Sequence, residues 1–396
     1  MIPRVTTIDD AERFAALAPE WDELVRAMPR PSPFLLHGWL LEWWRHHSHR
    51  GRLSVHVARD GQRLTGALPL FVERRLGVRV ARFLGEDAAA LADVLVADGA
   101  DPSTVRLLVD HAADSGADVA DLFGLPEDSR LAAAAGAGRL RLLARAEAPV
   151  LDLEPGWEAV YRSRTSSKRR NLHRRRRKQL SGFGEVTFEV ARTLDELLPA
   201  LEEAFRLHEA RWRDLPEASG FATPEGRRFH RAALRALAPL DVARIALLRA
   251  GGRALACNYY FLLEGRMYFH ELAFDPALAR WSPGQVATLD AIEAAAAEGA
   301  RRVEFLGGSE RYKLELADRL EPLYQGLGLA ATPRGRAMAA ARAASLHARL
   351  RLKETPVQRL YYEGLAPARR MARLASSATS ARRGTRAPGP SLTRRT

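Results

Sequence analysis

The sequence predicts a mixed α/β fold built from two similar units followed by a basic tail, and three observations lead there. Short runs rich in Val, Ile, Phe and Tyr alternate with longer stretches whose apolar residues recur at helical spacing. The same order of elements occurs twice. From Ala331 onward the chain turns to Arg, Ala, Ser and Pro. Strands joined by two-residue turns pair antiparallel. Each unit is expected to hold a mixed, mostly antiparallel sheet flanked by helices.

In residues 1–150, "RVTTI" reads as a strand, with a helix from Asp9 to Ala27 after it. A second helix carries Trp39, Trp43 and Trp44. Strands follow at "RLSVHVARD", "RLTGALPLFVERR" and "VRVARFLG", then a helix from Pro102 to Ser115 and the strand and turn "DVADLFGLPEDS". Residues 151–330 repeat the layout more clearly. The basic segment "SSKRRNLHRRRRKQL" precedes the strand "EVTFEV". Leu197, Leu201, Phe205 and Trp212 mark an amphipathic helix over Leu194–Arg213, and a second helix runs from about Pro224 to Ala238. "VARIALLRA", "RALACNYYFLLE" and "RMYFHELAFD" are three consecutive strands joined by "GG" and "EG". An Ala-rich helix, Gln285–Glu298, is stopped by Gly299. "RRVEFLG", a short helix at Arg311–Ala317 and "PLYQGLGLA" close the unit. In residues 331–396 a helical stretch precedes a Ser/Thr/Pro/Gly-rich end that reads as disordered.

Charge narrows the partners. The formal net charge is +13, yet the tail from Ala331 alone holds 15 basic and 2 acidic residues, so the first 330 residues are neutral. Within them Arg162–Lys178 carries +10, leaving −10 for the rest. A protein that grips a long nucleic acid spreads positive charge over a face, so nucleic acid is not the expected partner. The one cysteine, Cys257, excludes an internal disulfide framework or a multi-Cys zinc site. No signal-like leader and no long apolar run is visible, which points to a cytoplasmic protein. The basic tail, with Leu346, Leu350, Val357, Leu360 and Tyr361 on one face of a helix, suits the inner surface of an anionic membrane.

Three stretches carry a family resemblance: "LHEARW", the basic segment, and "AFDPALARWSPGQVATLDAIEAAAAEGARRVEFLGGSERYKLEL". With this element order they resemble the GNAT acyltransferases, and among them the BioF2-like group. That group includes the CelD/BcsL proteins of cellulose and exopolysaccharide synthesis and is related to FemAB/FemX. The resemblance implies an acyl-CoA co-substrate, acetyl-CoA for instance, no metal, and a small-molecule or saccharide-linked acceptor. It also implies direct attack by an amine or hydroxyl. Two other readings stay open. One is a Fem-like transferase fed by aminoacyl-tRNA. The other is a non-catalytic assembly factor for a polysaccharide synthase.

The residues suggest where such chemistry sits. The loop Arg280–Gln285 opens a helix, whose N-terminal amides and dipole suit a pyrophosphate. Arg280, Ser282, Pro283, Gly284 and Gln285 are therefore the candidate cofactor residues, although the usual Q/R-x-x-G-x-G/A signature is reduced here to Pro283-Gly284-Gln285. By resemblance Tyr312 is the general acid for the leaving thiolate, and Lys313 contacts phosphate or substrate. His270 and Glu271 are candidate bases. As neighbours on one strand they should face opposite sides, so only one should reach the cleft. Glu310 is the third acid/base candidate. His208 and Trp212 share a helix face and are candidate acceptor contacts or simple packing. The basic segment reads as a solvated structural helix, with Leu172 and Leu180 as its seam, or as a holder of an anionic substrate.

Overall fold

In the computed structural model, residues 3–88, 91–136, 138–212, 220–308, 310–329 and 332–353 are described. Val357, Leu360, Tyr361 and the rest of the tail beyond Lys353 lie outside them. The first half contains β1 (Arg4–Ile8), α1 (Ala11–Ala15), α2 (Ala18–Arg26), α3 (His37–His47), β2 (Arg52–Asp60), β3 (Arg63–Arg75) and β4 (Val78–Phe83). It continues with β5 (Leu95–Val96), α4 (Pro102–Asp114), β6 (Val119–Leu125), α5 (Arg130–Ala135) and β7 (Leu140–Asp152). Then come α6 (Trp157–Arg164), α7 (Ser167–Leu180), β8 (Val186–Ala191), α8 (Leu194–Trp212), α9 (Pro224–Leu237), β9 (Ala243–Ala250), β10 (Arg253–Leu263) and β11 (Arg266–Phe274). The last are α10 (Pro283–Ala297), β12 (Arg302–Glu304), α11 (Arg311–Leu314), β13 (Arg319–Gly328) and α12 (Pro333–Lys353). Met1–Ala339 forms one compact unit. No helix among the described residues is long and apolar enough to cross a membrane.

The expected helix over Asp9–Ala27 is two helices. Asp10 caps the first through the amides of Glu12 and Arg13, and a new helix starts at Ala18 with Pro19 in its first turn. The sheet is mixed and mostly antiparallel: among the described residues, β4–β6 and β11–β12 are the parallel pairs. Its strand order is β1-β2-β3-β4-β6-β13-β7-β12-β11-β10-β9-β8, with β5 on β3.

That order repeats each half's layout with one exchange. β13, the last strand of the second half, lies between β6 and β7. β7, the last strand of the first half, pairs in turn with β12. The exchange makes one continuous sheet, and a single apolar core runs across it from Trp21 and Trp43 to Phe205 and Tyr259. On the opposite face of the second half, β9–β12 pack against α10 and α6 through Tyr260, Phe269, Ile292 and Val303.

The basic segment folds as α7, capped by Ser166 on the Arg169 amide. Its buried residues are His173 and Leu180, and Leu172 is only half-buried. His173 Nδ1 lies 2.8 Å from the Tyr161 hydroxyl. Arg176 bonds Gln285, Arg177 pairs with Asp290, and Arg169 pairs with Glu315 at 2.8 Å. One side of α7 is thus fixed to α10, while Lys168, Arg174, Arg175 and Lys178 stay in water.

Candidate active site

β11 and β12 pair only from Arg266 opposite Arg302 to Tyr268 opposite Glu304. Beyond that point they part. Phe305 and Gly308 donate their amides to Pro149 and Glu147 of β7, at 3.0 and 3.1 Å, and so turn away from β11. The freed edge of β11 is met by α8 instead: Arg211 Nη1 donates to the Leu272 carbonyl at 2.5 Å. A strand edge parted from its neighbour beside a helix start is a natural seat for an extended ligand.

At the mouth of this wedge β11 carries a β-bulge. Tyr259 stands opposite Glu271 and Tyr260 opposite Phe269, so His270 is the extra residue. A bulge breaks the period of two. Phe269 faces the α10 side, stacked on Phe305 at 5.3 Å. His270 and Glu271 both turn to the α8 side. The His270 ring lies 5.0 Å from Tyr259, and a Glu271 oxygen lies 3.8 Å from His208 Nε2. The expectation that only one of the two reaches the cleft face is therefore corrected.

The carboxyl of Glu271, 21% exposed, is pushed up to about 7 by burial, against the pull of Arg211 and Lys313 and with help from Glu310. Burial, the nearby Glu310 and Glu271 also raise the Tyr312 phenol well above its ordinary value, while Arg211 opposes them. Lys313 is buried; its ammonium donates to the Gly307 carbonyl at 3.2 Å and pairs with Glu310 at 2.9 Å. Four predicted residues, Glu271, Glu310, Tyr312 and Lys313, thus belong to one electrostatic cluster. Lys313 holds the Gly307–Glu310 turn as well as facing the cluster.

His208 is 1% exposed, and burial, with Arg211 and Arg227, lowers it to about 4, so it is a neutral wall beside Glu271. Trp212 stacks on it at 5.9 Å. Arg211 was not anticipated. It sits inside "LHEARW", where a charged residue between His208 and Trp212 was the available signal.

The helix start at Arg280–Gln285 is more occupied than its sequence suggests. Arg280 is exposed and lies over the Trp281 ring at 3.7 Å. Ser282 has a left-handed backbone, φ 52°. Pro283 and Gly284 are buried, and a Cβ at Gly284 would stand 3.0 Å from Phe274 Cδ1. The glycine lets α10 close onto β11, a packing reason for its place. Gln285 accepts from Arg176 and lies 3.4 Å from Glu315. The charge here is nonetheless unbalanced: burial and the neighbouring Arg169 and Arg175 lower the pKa of Arg176, with Glu315 opposing. Crowded guanidinium groups at a helix N-terminus fit a phosphate.

The first half has the matching divergence and closes it. β4 and β6 pair only at Val80–Val119 and Ala81–Ala120. Next along β4, Arg82 reaches Asp121 of β6 at 3.3 Å, with Glu73 at 2.7 Å and Glu86 at 2.6 Å. The same half instead builds one side of the second wedge. Phe34 and Trp39 lie 5.7 and 5.3 Å from His270, Tyr268 donates to the Pro31 carbonyl, and Arg30 pairs with the buried Glu304 at 3.1 Å. Cys257 is fully buried, its thiol pushed up to about 12, and serves as core.

Residues 166–314 match the profile of the acetyltransferase (GNAT) domain. The matched stretch begins at the basic helix and ends at α11, and it takes in β11, β12 and the wedge between them. Among solved structures, FemX is similar over 81% of this chain and 96% of its own, at 10% identity and a TM-score of 0.57. The C-terminal domain of a putative lysylphosphatidylglycerol synthetase from Agrobacterium fabrum is similar over 83% and 96%, at 14% and 0.54. L-PGS from Bacillus licheniformis is similar over 85% and 97%, at 13% and 0.51. Identities this low establish a shared fold, which spans both halves. No curated protein matches the chain.

Proposed function

We propose that this chain transfers an acyl group from acyl-CoA to an amine or hydroxyl acceptor by direct attack. The observation that carries the reading is Glu271, a carboxyl near 7 in the GNAT wedge within the electrostatic reach of Tyr312 and Lys313. A base whose pKa lies near the working pH takes a proton efficiently. As the new N–C or O–C bond forms, the acceptor proton goes to Glu271. The C–S bond breaks and the thiolate takes the Tyr312 proton. Arg169, Arg176 and the start of α10 hold the phosphates. The sequence resemblance to the BioF2-like group supports a role for the reaction in exopolysaccharide, cellulose or other envelope synthesis.

Titration calorimetry of the full chain with acetyl-CoA and longer acyl-CoAs tests the donor, followed by thiol release with a panel of amines. Binding in the micromolar range is expected. A second reading has its own support, since Lys168, Arg174, Arg175 and Lys178 are exposed on α7 and present a basic face. A Fem-like donor, aminoacyl-tRNA, suits that face. Silence with every acyl-CoA, together with tRNA binding that weakens steeply with salt, replaces the first reading by the second.

Tyr312→Phe is expected to lower kcat by about 10²-fold with little change in CoA affinity, as loss of a general acid does. Normal turnover reduces Tyr312 to packing.

A further inference from the structure

The surface at the end of α7 carries aromatic rings that neither the core nor the proton transfers use. α7 closes on the buried Leu180, and the turn Ser181–Phe183 leads on toward β8. Phe183 is 44% exposed, and every other phenylalanine, tyrosine and tryptophan among the described residues is less so. Its ring meets Trp281 edge to face, with centroids 4.9 Å apart. The exposed Arg280 lays its guanidinium over the same indole at 3.7 Å.

The backbone under these side chains is held from two sides. Leu180, Leu278 and Val286 share one small core, and Trp281 packs against it. Gly184, at φ 122°, lies so close to the β9–β10 turn that a Cβ would stand 2.6 Å from Gly251 Cα. The Gly251 amide donates to the Glu185 carbonyl at 3.0 Å. Phe183 is therefore presented to water on a fixed turn, where an apolar ring gains nothing until a partner covers it.

Position and charge select that partner. Trp281 precedes Ser282 and the first turn of α10, where Arg176 bonds Gln285 and stands in the field of Arg169 and Arg175. Arg280 and Lys178 add exposed cations. A planar cation laid on an indole keeps its outer face for a second flat ring, and Phe183 widens the platform. Phosphate at the helix start and a flat ring beside it belong together in a nucleotide. A run of bases would need a row of exposed rings, whereas this platform has room for one base.

From this arrangement we infer that Phe183, Trp281 and Arg280 stack the adenine of the CoA donor, whose diphosphate lies at the start of α10. The inference rests on the acyl-CoA reading. It gives Phe183, which lies outside every motif singled out in the sequence, a part in donor affinity.

Calorimetry of the full chain compares coenzyme A with 4′-phosphopantetheine, which lacks the adenosine. Wild type is expected to bind coenzyme A at least about tenfold more tightly, as one stacked base allows. Phe183→Ala should remove most of that preference, weakening coenzyme A by about tenfold and leaving 4′-phosphopantetheine within about twofold of wild type. Phe183→Tyr keeps the ring and should restore the affinity. Melting curves check that the exposed substitutions leave the fold intact. Coenzyme A that binds wild type and Phe183→Ala equally overturns the inference and leaves the acyl-CoA reading standing, whereas a wild type that binds no coenzyme A overturns both. Equal affinities of the two ligands for wild type also overturn it, with no variant needed. So does an equal loss of both ligands in Phe183→Ala, which marks a packing role. Phe183-dependent binding of the RNA 5′-ACCA without coenzyme A gives the platform to a tRNA end and overturns the inference as well.

Discussion

Glu271→Gln is expected to lower acyl transfer by roughly 10²–10⁴-fold, the range of a lost general base, while the protein stays folded. In the wild type the rate should climb with pH and level off above about 7, as the carboxyl ionises. The variant should keep only a pH-flat residue of activity in that window. Stability should move the other way. The folded-state value of about 7 lies above the ordinary 4.5, so between these values the folded chain holds a proton that the unfolded chain has released. That proton favours folding below 4.5, and the benefit is lost as pH rises through 7. Glutamine never ionises, so the variant should melt a few degrees higher at pH 8, and the gain should vanish at pH 4. Partial exposure of the side chain keeps the gain modest. A variant with full turnover, or one whose rate still inflects near 7, removes Glu271 from the proton path.

The grouping of Glu271, Glu310, Tyr312 and Lys313 was legible because element order decides which strand segments meet. Glu310, Tyr312 and Lys313 follow the β12 strand, Glu271 lies in the last half of the parallel neighbour β11, and the sheet brings these segments together. What was not legible depends on departures from period or on distant partners. "MYFHELAF" shows no Gly or Pro to announce a bulge, so strict alternation put His270 and Glu271 on opposite faces. Gly284 looked like a phosphate glycine, and only its distance to Phe274 shows a packing role. Trp39 was placed on a first-half helix, and nothing local tells that its ring reaches His270 of the second half. β7 went unread because "LRLLARAEAPVLD" interleaves Arg141, Arg145 and Glu147 with its apolar residues. Its strand character comes from β13, far along the chain. The repeated order of elements in the two halves held no sign of exchanged strands.

Neither half is expected to fold alone. β13 pairs with β7 along its whole length, from Arg319 opposite Val150 to Gly328 opposite Leu140, and with β6 from Tyr324 to Gly328. Both neighbours belong to the first half. Leu323, Gln325 and Leu327 are almost fully buried there. Gly326 admits the close approach, since a Cβ would stand 2.8 Å from Leu125. A fragment of residues 151–353 therefore exposes both edges of β13 and the β7 side of β12. Unpaired edges and bared apolar side chains favour aggregation over a cooperative fold. A nick is a different perturbation from a truncation. The turn Glu154-Pro155-Gly156 is exposed and follows β7, so cleavage at an inserted protease site there leaves every strand pair in place. The nicked chain should elute as one species and melt in one transition, whereas either fragment expressed alone should give no cooperative melt. Fragments that separate and each unfold cooperatively would show that the exchanged strands are dispensable, and would return each half to independence.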